Sequence, residues 1–409
     1  MRHKVVIIGH GYTSRLAVIR SVAQIGCDIT VIVMTSYKRD GRTLNISKPI
    51  DCNSKYVNHV YYCHAKDEEG LIKILLSQYT DSQQKIVIIP DSDFSVAVID
   101  KNQERLKGHF LFPHIHNKPG AVVEWMNKVK QKNLACEVGL NISSSCVIDV
   151  KEKHFKIPVG INYPCFTKPL ATIKGGKRLF RRCDNEKELH SILDFAITLG
   201  DLQVLVEDYK HIDTEYALVG FSDGKEVVIP AVFQILEMAH GGHYGVACKG
   251  KVLPVRAFED LINKFKEMLK RIGYVGLFDI DFYQSKGTMY FSELNLRFGG
   301  SGYAVTHIGV NLPAMFVNYI CGESIDDMNK EVVVTATYSN ERMCLDDWYG
   351  GYITTAEFKH IIKDVDINFI YDHKDQKPWK AFCREYRIKY LKRLIKIIIG
   401  KINSSYERN

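Results

Sequence analysis

Read along the chain, the apolar positions keep two rhythms in turn. KVVIIGHG is an unbroken apolar run closed by a glycine turn, the pattern of a strand buried on both faces. From Ser14 to Gly26 the spacing changes to helical, through Leu16, Ile19, Val22 and Ala23. CDITVIVM then reads as a second strand, residues 68–79 as a helix, and KIVIIPDSD as a third strand. Strands separated by helices predict an α/β domain with a parallel, doubly wound sheet over residues 1–119.

Residues 120–140 predict a single amphipathic helix ending near Gly139. Beyond it the alternation is lost. Short strands are expected at CVIDV, CFTKPL, QVLVEDY, EYALVGF and EVVIPAV, with helices over 186–199 and 258–272 between them. This irregular mixture predicts an α+β unit over residues 120–325. It closes with GLFDIDFYQSKGTMYFSELNLRFGGSG, two strands joined by a turn at Ser285–Gly287. Residues 326–409 form a C-terminal extension. No internal repeat or low-complexity linker separates the units, so close packing is expected.

Composition narrows the picture little. Hydrophobic residues are 46% and charged residues 25% of 409, an ordinary globular balance. No apolar run reaches 18 residues, and the N-terminal apolar stretch is too short for a secretory signal. The eleven cysteines stand singly with no CxxC pair, which suits a reducing cytosol and small buried residues. Charge is more telling. The net charge is +8, of which Trp379–Asn409, with nine Lys or Arg and two Glu, holds +7. The basic character therefore belongs to the tail.

The first turn, GHGYTSRLA, invites a dinucleotide reading. Gly9 and Gly11 are in place, but Arg15 and Leu16 occupy the region of the third glycine. The second strand also ends without the acidic residue that would take a ribose. A tight turn bringing backbone near a small ligand is the reading retained.

The densest chemistry lies on the last two strands. Glu293 and Asn295 are two apart and share a face, and a hairpin pairing brings Asp281 beside them. Two carboxylates and an amide oxygen suit magnesium or manganese, with phosphate and water as the remaining ligands. Arg297 continues the face and can meet a phosphate or carboxylate bidentately. Lys168 ends an apolar strand, where an unpaired ammonium is costly to bury, and the loop ATIKGGKR behind it has glycines that expose N–H groups to phosphate. It lacks the GxxxxGK[ST] pattern of a P-loop. In VLVEDYKHIDTEYALVGF, Glu207 ends one strand and Glu215 opens the next.

In order, Lys128, Lys168, Glu207, Glu215, Asp281, Glu293, Asn295 and Arg297 resemble the successive motifs of the ATP-grasp superfamily over roughly residues 1–325. The pattern G-x-x-x-x-D-F followed by E-x-N-x-R-x-G-G is similar to the carboxylate–amine ligases, with D-aspartate ligase and carbamoyl-phosphate-synthase-like members nearest. The resemblance implies a pre-ATP-grasp domain over 1–119 and two lobes clasping ATP over 120–325. It implies that Lys128 and Lys168 hold phosphates, that Glu207 and its neighbours meet adenine, and that Glu215 meets ribose. Asp281, Glu293 and Asn295 would bind magnesium, and Arg297 would steady the γ-phosphate or acyl phosphate. Two departures stand out: Asn127 replaces an acidic residue before the first lysine, and Asn295-Leu296-Arg297 replaces N-P-R.

The implied activity is ADP-forming ligation: a carboxylate activated as an acyl phosphate and passed to an amine. Two alternatives stay open, a catalytically silent nucleotide-binding sensor or scaffold and a bicarbonate-activating carboxylase component. Substrate contacts are expected from Gly9–Tyr12, Asp91–Asp93, His240–Tyr244 and Gly299–Tyr303. His240 and His243 read as part of a lid rather than a metal site. The partners expected are small-molecule carboxylates and amines, not nucleic acid, in the cytoplasm. In the tail, Leu391, Leu394, Ile395 and Ile398 share one helical face, with Lys389, Lys392, Arg393 and Lys396 on the others. Such a helix over 379–402 either lies on the inner face of an anionic membrane or docks on its own protein or on a second subunit as a homodimer.

Overall fold

The computed structural model describes residues 2–10, 13–35, 48–79, 84–151, 155–170, 176–200, 203–240, 245–325 and 330–406, and of these the side chains of 176–177 and 396–406 are not described. Gly11, Tyr12 and His243, residues 171–175 of the loop ATIKGGKR with the side chain of its Lys177, and the side chains of Lys396 and Ile398 therefore lie outside the described residues.

The first sheet is parallel throughout. Its strands are Lys4–Gly9, Asp28–Thr35, Val57–His64, Ile86–Pro90 and Phe110–Leu111. Their spatial order is third, second, first, fourth, fifth, so the order reverses between Lys4–Gly9 and Ile86–Pro90. In open sheets of this kind ligands sit beyond the carboxyl ends of the strands at that reversal. Alternate residues of one strand feed two cores. Val5 and Ile7 pack with Val18, Ile19 and Val22 of the helix Thr13–Ala23, while Val6 and Ile8 pack with Leu71, Ile72 and Leu75 of the helix Glu68–Tyr79. Each side chain of this size contributes about 1.5–3 kcal/mol when fully buried.

Two sequence expectations change here. The strand Val57–His64 is extra: its residues are mostly half-exposed at the sheet edge, so it carries no apolar run to announce it. Arg15, in the region of the third glycine, is fully buried. Its guanidinium pairs with Asp51 and donates to the carbonyl of Gly9, so a protein cation fills the first turn.

A four-stranded antiparallel sheet follows in the order Ser145–Asp149, Gln203–Asp208, Cys165–Pro169, Arg181–Cys183. The helix Glu186–Leu199 covers it through Leu189, Ile192, Leu193 and Ala196. Its N-cap Asn185 accepts from the backbone N–H of Glu188, and Gly200 ends it in the left-handed region.

The third sheet runs Thr288–Asn295, Tyr274–Ser285, Thr214–Asp223, Val232–Met238, Ala247–Leu253, Ala336–Ser339, Ile367–Asn368, with the short strands Val227–Val228 and His114–Ile115 on its flanks. The segment EVVIPAV is thus two strands. Pro230, which has no N–H to give a ladder, falls between them. The C-terminal segment is built into the fold, because Ala336–Ser339 pairs with Ala247–Leu253 and Ile367–Asn368 pairs with Ala336–Ser339. Arg20 of the first helix reinforces the join by donating to Asp375 and to the carbonyls of Phe369 and Ile370.

Candidate active site

The long hairpin sets the geometry. Lys286 and Gly287 both have positive φ, 48° and 78°, giving the tight two-residue connection that matches strand twist. Pairing then places Asp281 opposite Glu293 and Asp279 opposite Asn295. Directly opposed residues project from the same face, so all four share it. The register shifts between Asp281 and Phe282, with Phe282 opposite Phe291. Ser292 is the extra residue of this bulge, and it lets Phe291 and Leu294 both enter the hydrophobic core while Glu293 and Asn295 face away from it. On the neighbouring strand Ala217 lies opposite Asp281 and Glu215 opposite Tyr283, which puts Glu215 on the acidic face as well.

Three lysines approach this face. The expected single helix over 120–140 is two, Ala121–Trp125 and Lys128–Glu137, because Asn127 caps the second by accepting from the N–H groups of Val129 and Lys130. The break points Lys128, Gln131 and Lys132, at i, i+3 and i+4, toward the strand. Gln131 clamps the helix there: its Nε2 donates to the carbonyl of Leu294 at 2.8 Å, and its Oε1 accepts from the Leu294 N–H at 3.0 Å. Lys128 ion-pairs with Glu293. Lys132 reaches Glu207 Oε1 at 2.6 Å and donates to the carbonyl of Ser143 at 3.0 Å. Lys168 reaches Glu207 Oε2 at 2.9 Å and donates to Ser292 Oγ at 3.4 Å.

Lys128, Lys132, Lys168 and Glu207 are all more than nine-tenths buried. Three ammonium groups thus meet two carboxylates in a desolvated place, a balance that favours one further anion. Burial lowers the Lys132 pKa, with Glu207 opposing. The same burial acts on Lys168 but is outweighed by Glu207 and Glu293, and its pKa rises. Burial would raise Glu207, yet Lys168 and Lys132 hold its pKa below the ordinary value. Glu207 therefore sits as the shared counter-ion of two lysines.

Asn295 donates to Asp279 Oδ1 and Asp281 Oδ2, each at 3.3 Å, and Arg297 Nη2 lies 3.5 Å from Asn295 Oδ1. Arg297 Nε donates to Asp93 Oδ1 at 2.8 Å, so the acidic face abuts the carboxyl end of the parallel sheet. Asp91 lies at the end of Ile86–Pro90, pressed against Gly9. Burial pushes its carboxyl up to about 7, with Arg15 and Arg297 pulling the other way. The oxygen donors Asp281, Glu293 and Asn295 fit a hard divalent cation. Among the described residues no three His, Cys, Asp or Glu converge as a metal group. His240 is engaged elsewhere, its N–H and ring meeting Asp347.

Asp279 and Lys132 were not among the sequence candidates. Asp279 stands two residues before Asp281 and Lys132 four after Lys128, so strand and helix periodicity carried both signals. Asp93 was named only as part of an acidic loop, and nothing in the sequence tied it to Arg297.

A face of oxygen donors thus lies beside buried lysines, between an antiparallel sheet and a larger one. Residues 127–324, just under half of the chain, match the model of the carbamoyl-phosphate synthase L chain, ATP-binding domain. Among curated proteins, the carbamoyl phosphate synthase large chain, C-terminal section, of Aquifex aeolicus is 24% identical over 221 residues, 53% of this chain and 40% of that protein. The chain thus spans less than half the length of that relative. Among solved structures, an L-amino acid ligase from Bacillus licheniformis superposes with a TM-score of 0.60 at 16% identity, covering 82% of this chain and 79% of that one. Biotin carboxylase from Campylobacter jejuni gives 0.62 at 17%, covering 82% and 75%. These likenesses are of fold.

Proposed function

We propose that the protein is an ADP-forming ligase that activates a carboxylate as an acyl phosphate and couples it to an amine. The observation that carries this reading is the cluster of three buried lysines balanced by two carboxylates, set against a face bearing Asp279, Asp281, Glu293 and Asn295. Such a place accepts a polyphosphate and its counter-ion.

Magnesium or manganese, when held by Asp281, Glu293 and Asn295, supplies charge neutralisation to the triphosphate. Lys128 and Lys168 bind its oxygens, and Lys132 and Glu207 fix the position of Lys168. Glu215 lies one strand further along the same face, where a ribose would extend. A carboxylate oxygen of the substrate attacks the γ-phosphorus, and the bond to the β-phosphate oxygen breaks to release ADP. Arg297 steadies the charge on the acyl phosphate. The amine then attacks the acyl carbon, inorganic phosphate leaves and the nitrogen gives up its proton. Only positioning and electrostatics are asked of the protein. The buried carboxyl of Asp91 and its neighbour Asp93, at the reversal of the parallel sheet, mark the place for the amine's ammonium group.

The test is a phosphate-release screen over amino acids of both hands, paired with amines, followed by product mass. Release needing both partners, and lost in Glu293→Gln, supports the reading. Release with bicarbonate alone points to carboxylation instead, and ATP binding without turnover points to a sensor.

A further inference from the structure

The helix Gln376–Tyr406 docks by an unexpected side. Facing the body are Phe382, Tyr386, Lys389 and Arg393, at helical spacing. Phe382 is 2% exposed, and Tyr386 stacks on Phe358 at 5.5 Å. Lys389 pairs with Asp346, and the Arg393 guanidinium lies 4.7 Å over the Trp348 ring while donating to the Trp348 carbonyl. Two of the helix's cations are consumed inside. Its aliphatic side is turned outward: Ile388, Leu391 and Ile395, at i, i+3 and i+7, are 48%, 59% and 54% exposed. A helix that docks through Lys and Arg and presents Ile and Leu to solvent reverses the ordinary arrangement.

We infer that this outward stripe is a docking face for an anionic lipid surface. Arg384, Arg387 and Lys392 flank the stripe, are exposed, and have no ion-pair partner among the described residues. Aliphatic side chains in a row bordered by unpaired cations match the boundary between acyl tails and acidic headgroups, where such helices lie in the plane. A second copy of the protein fits less well, since a two-fold contact sets the same patch against itself and opposes like charges. No described helix is long and apolar enough to cross a membrane, so the contact would be peripheral. The inference is independent of the ligase reading, because the stripe lies on the C-terminal helix and holds none of the residues assigned to nucleotide or substrate.

The experiment is co-sedimentation of the full-length protein with vesicles of mixed phosphatidylserine and phosphatidylcholine, and with phosphatidylcholine alone. Binding to the anionic vesicles only, weakened by salt, is expected. Replacing Leu391→Ser together with Ile395→Ser should cut binding by at least about tenfold. Neutralising Arg384, Arg387 and Lys392 to Gln should cost about fivefold per cation. All five positions are exposed, and an unchanged thermal melt checks that each variant folds; Ile388→Ser serves as the second apolar variant. Equal binding to neutral vesicles, or none to anionic ones, overturns the inference. So does a lipid-free dimer that the Leu391/Ile395 variant abolishes, which would make the face a contact between copies.

Discussion

Arg297 Nε donates to Asp93 Oδ1 at 2.8 Å, joining positions 204 residues apart. Asp93 opens the helix Asp93–Lys101 behind its N-cap Ser92, where the helix dipole favours a carboxylate. Burial works against the Arg297 charge, and Asp93 and Asp279 more than restore it, so its pKa is raised. The contact fixes a cation at the seam between the acidic face and the parallel sheet. In Asp93→Asn the shape is kept and the charge is lost. We expect kcat to fall by about tenfold to a hundredfold through misplacement of Arg297, with KM for ATP within about twofold. Steady-state phosphate release on the substrate pair found by screening checks this. Equal loss in KM and kcat would make Asp93 a strut between domains.

Glu207→Gln leaves Lys132 and Lys168 without their shared carboxylate. Breaking a buried pair costs about 3–5 kcal/mol, so a large fall in melting temperature is expected, with weaker ATP binding by calorimetry. The pH sign follows from its lowered pKa. A carboxylate depressed in the folded state adds stability that is complete above its unfolded value and is lost as pH falls through the folded one. The wild type should therefore lose stability more steeply than Glu207→Gln as pH falls below the ordinary glutamate value of 4.5. Parallel melts across that range would defeat the assignment.

The hairpin was legible because its signals are local: a turn at Ser285–Gly287, alternation in FSELNLRF, and spacing that sets Glu293 beside Asn295. What escaped depends on pairing. The bulge at Ser292 cannot be read from one strand, since it exists only relative to Phe282 across the ladder. Glu207 reads as a strand-end acid, and only tertiary packing reveals two lysines upon it. Lys132 shares a face with Lys128 at i+4 whether 120–140 is one helix or two, but only the Asn127 cap and the packing on Leu294 show that this face meets the strand. The C-terminal strands were missed because Ala336–Ser339 and Ile367–Asn368 are four and two residues long, too short for a periodicity.

Gly299 makes a sharper test of the same face. A Cβ there would lie 1.7 Å from Asp279 Oδ2 and 3.0 Å from Val219 Cγ1. Asp279 receives the Asn295 amide, so any displacement passes directly to a residue of the site. Gly299→Ala should cost about 1–3 kcal/mol, the usual range for overpacking, and lower turnover. Shortening the clashing partner should relieve the clash. The double variant Gly299→Ala/Asp279→Ala is then expected to melt higher than the sum of the two single losses predicts. Strict additivity in denaturant titrations would show that the glycine is not held open by Asp279.

Asp91 carries the opposite pH sign. Burial raises its carboxyl to about 7. A carboxyl raised in the folded state contributes stability that is complete below its unfolded value and is lost as pH climbs through the folded one. The wild type should therefore lose a few kcal/mol between about pH 4 and pH 7 from this group, roughly 1.4 kcal/mol for each tenfold fall in proton concentration. Asp91→Asn should abolish that loss and melt above the wild type at pH about 8, while matching it near pH about 4. Binding of an ammonium group beside Asp91 would reverse the preference and drive off its proton. The KM for the amine should then fall as pH rises through about 7 in the wild type and stay flat, at a higher value, in Asp91→Asn. An Asp91→Asn variant stabilised at high pH but with the wild-type KM profile would keep the buried carboxyl and remove the amine from its side.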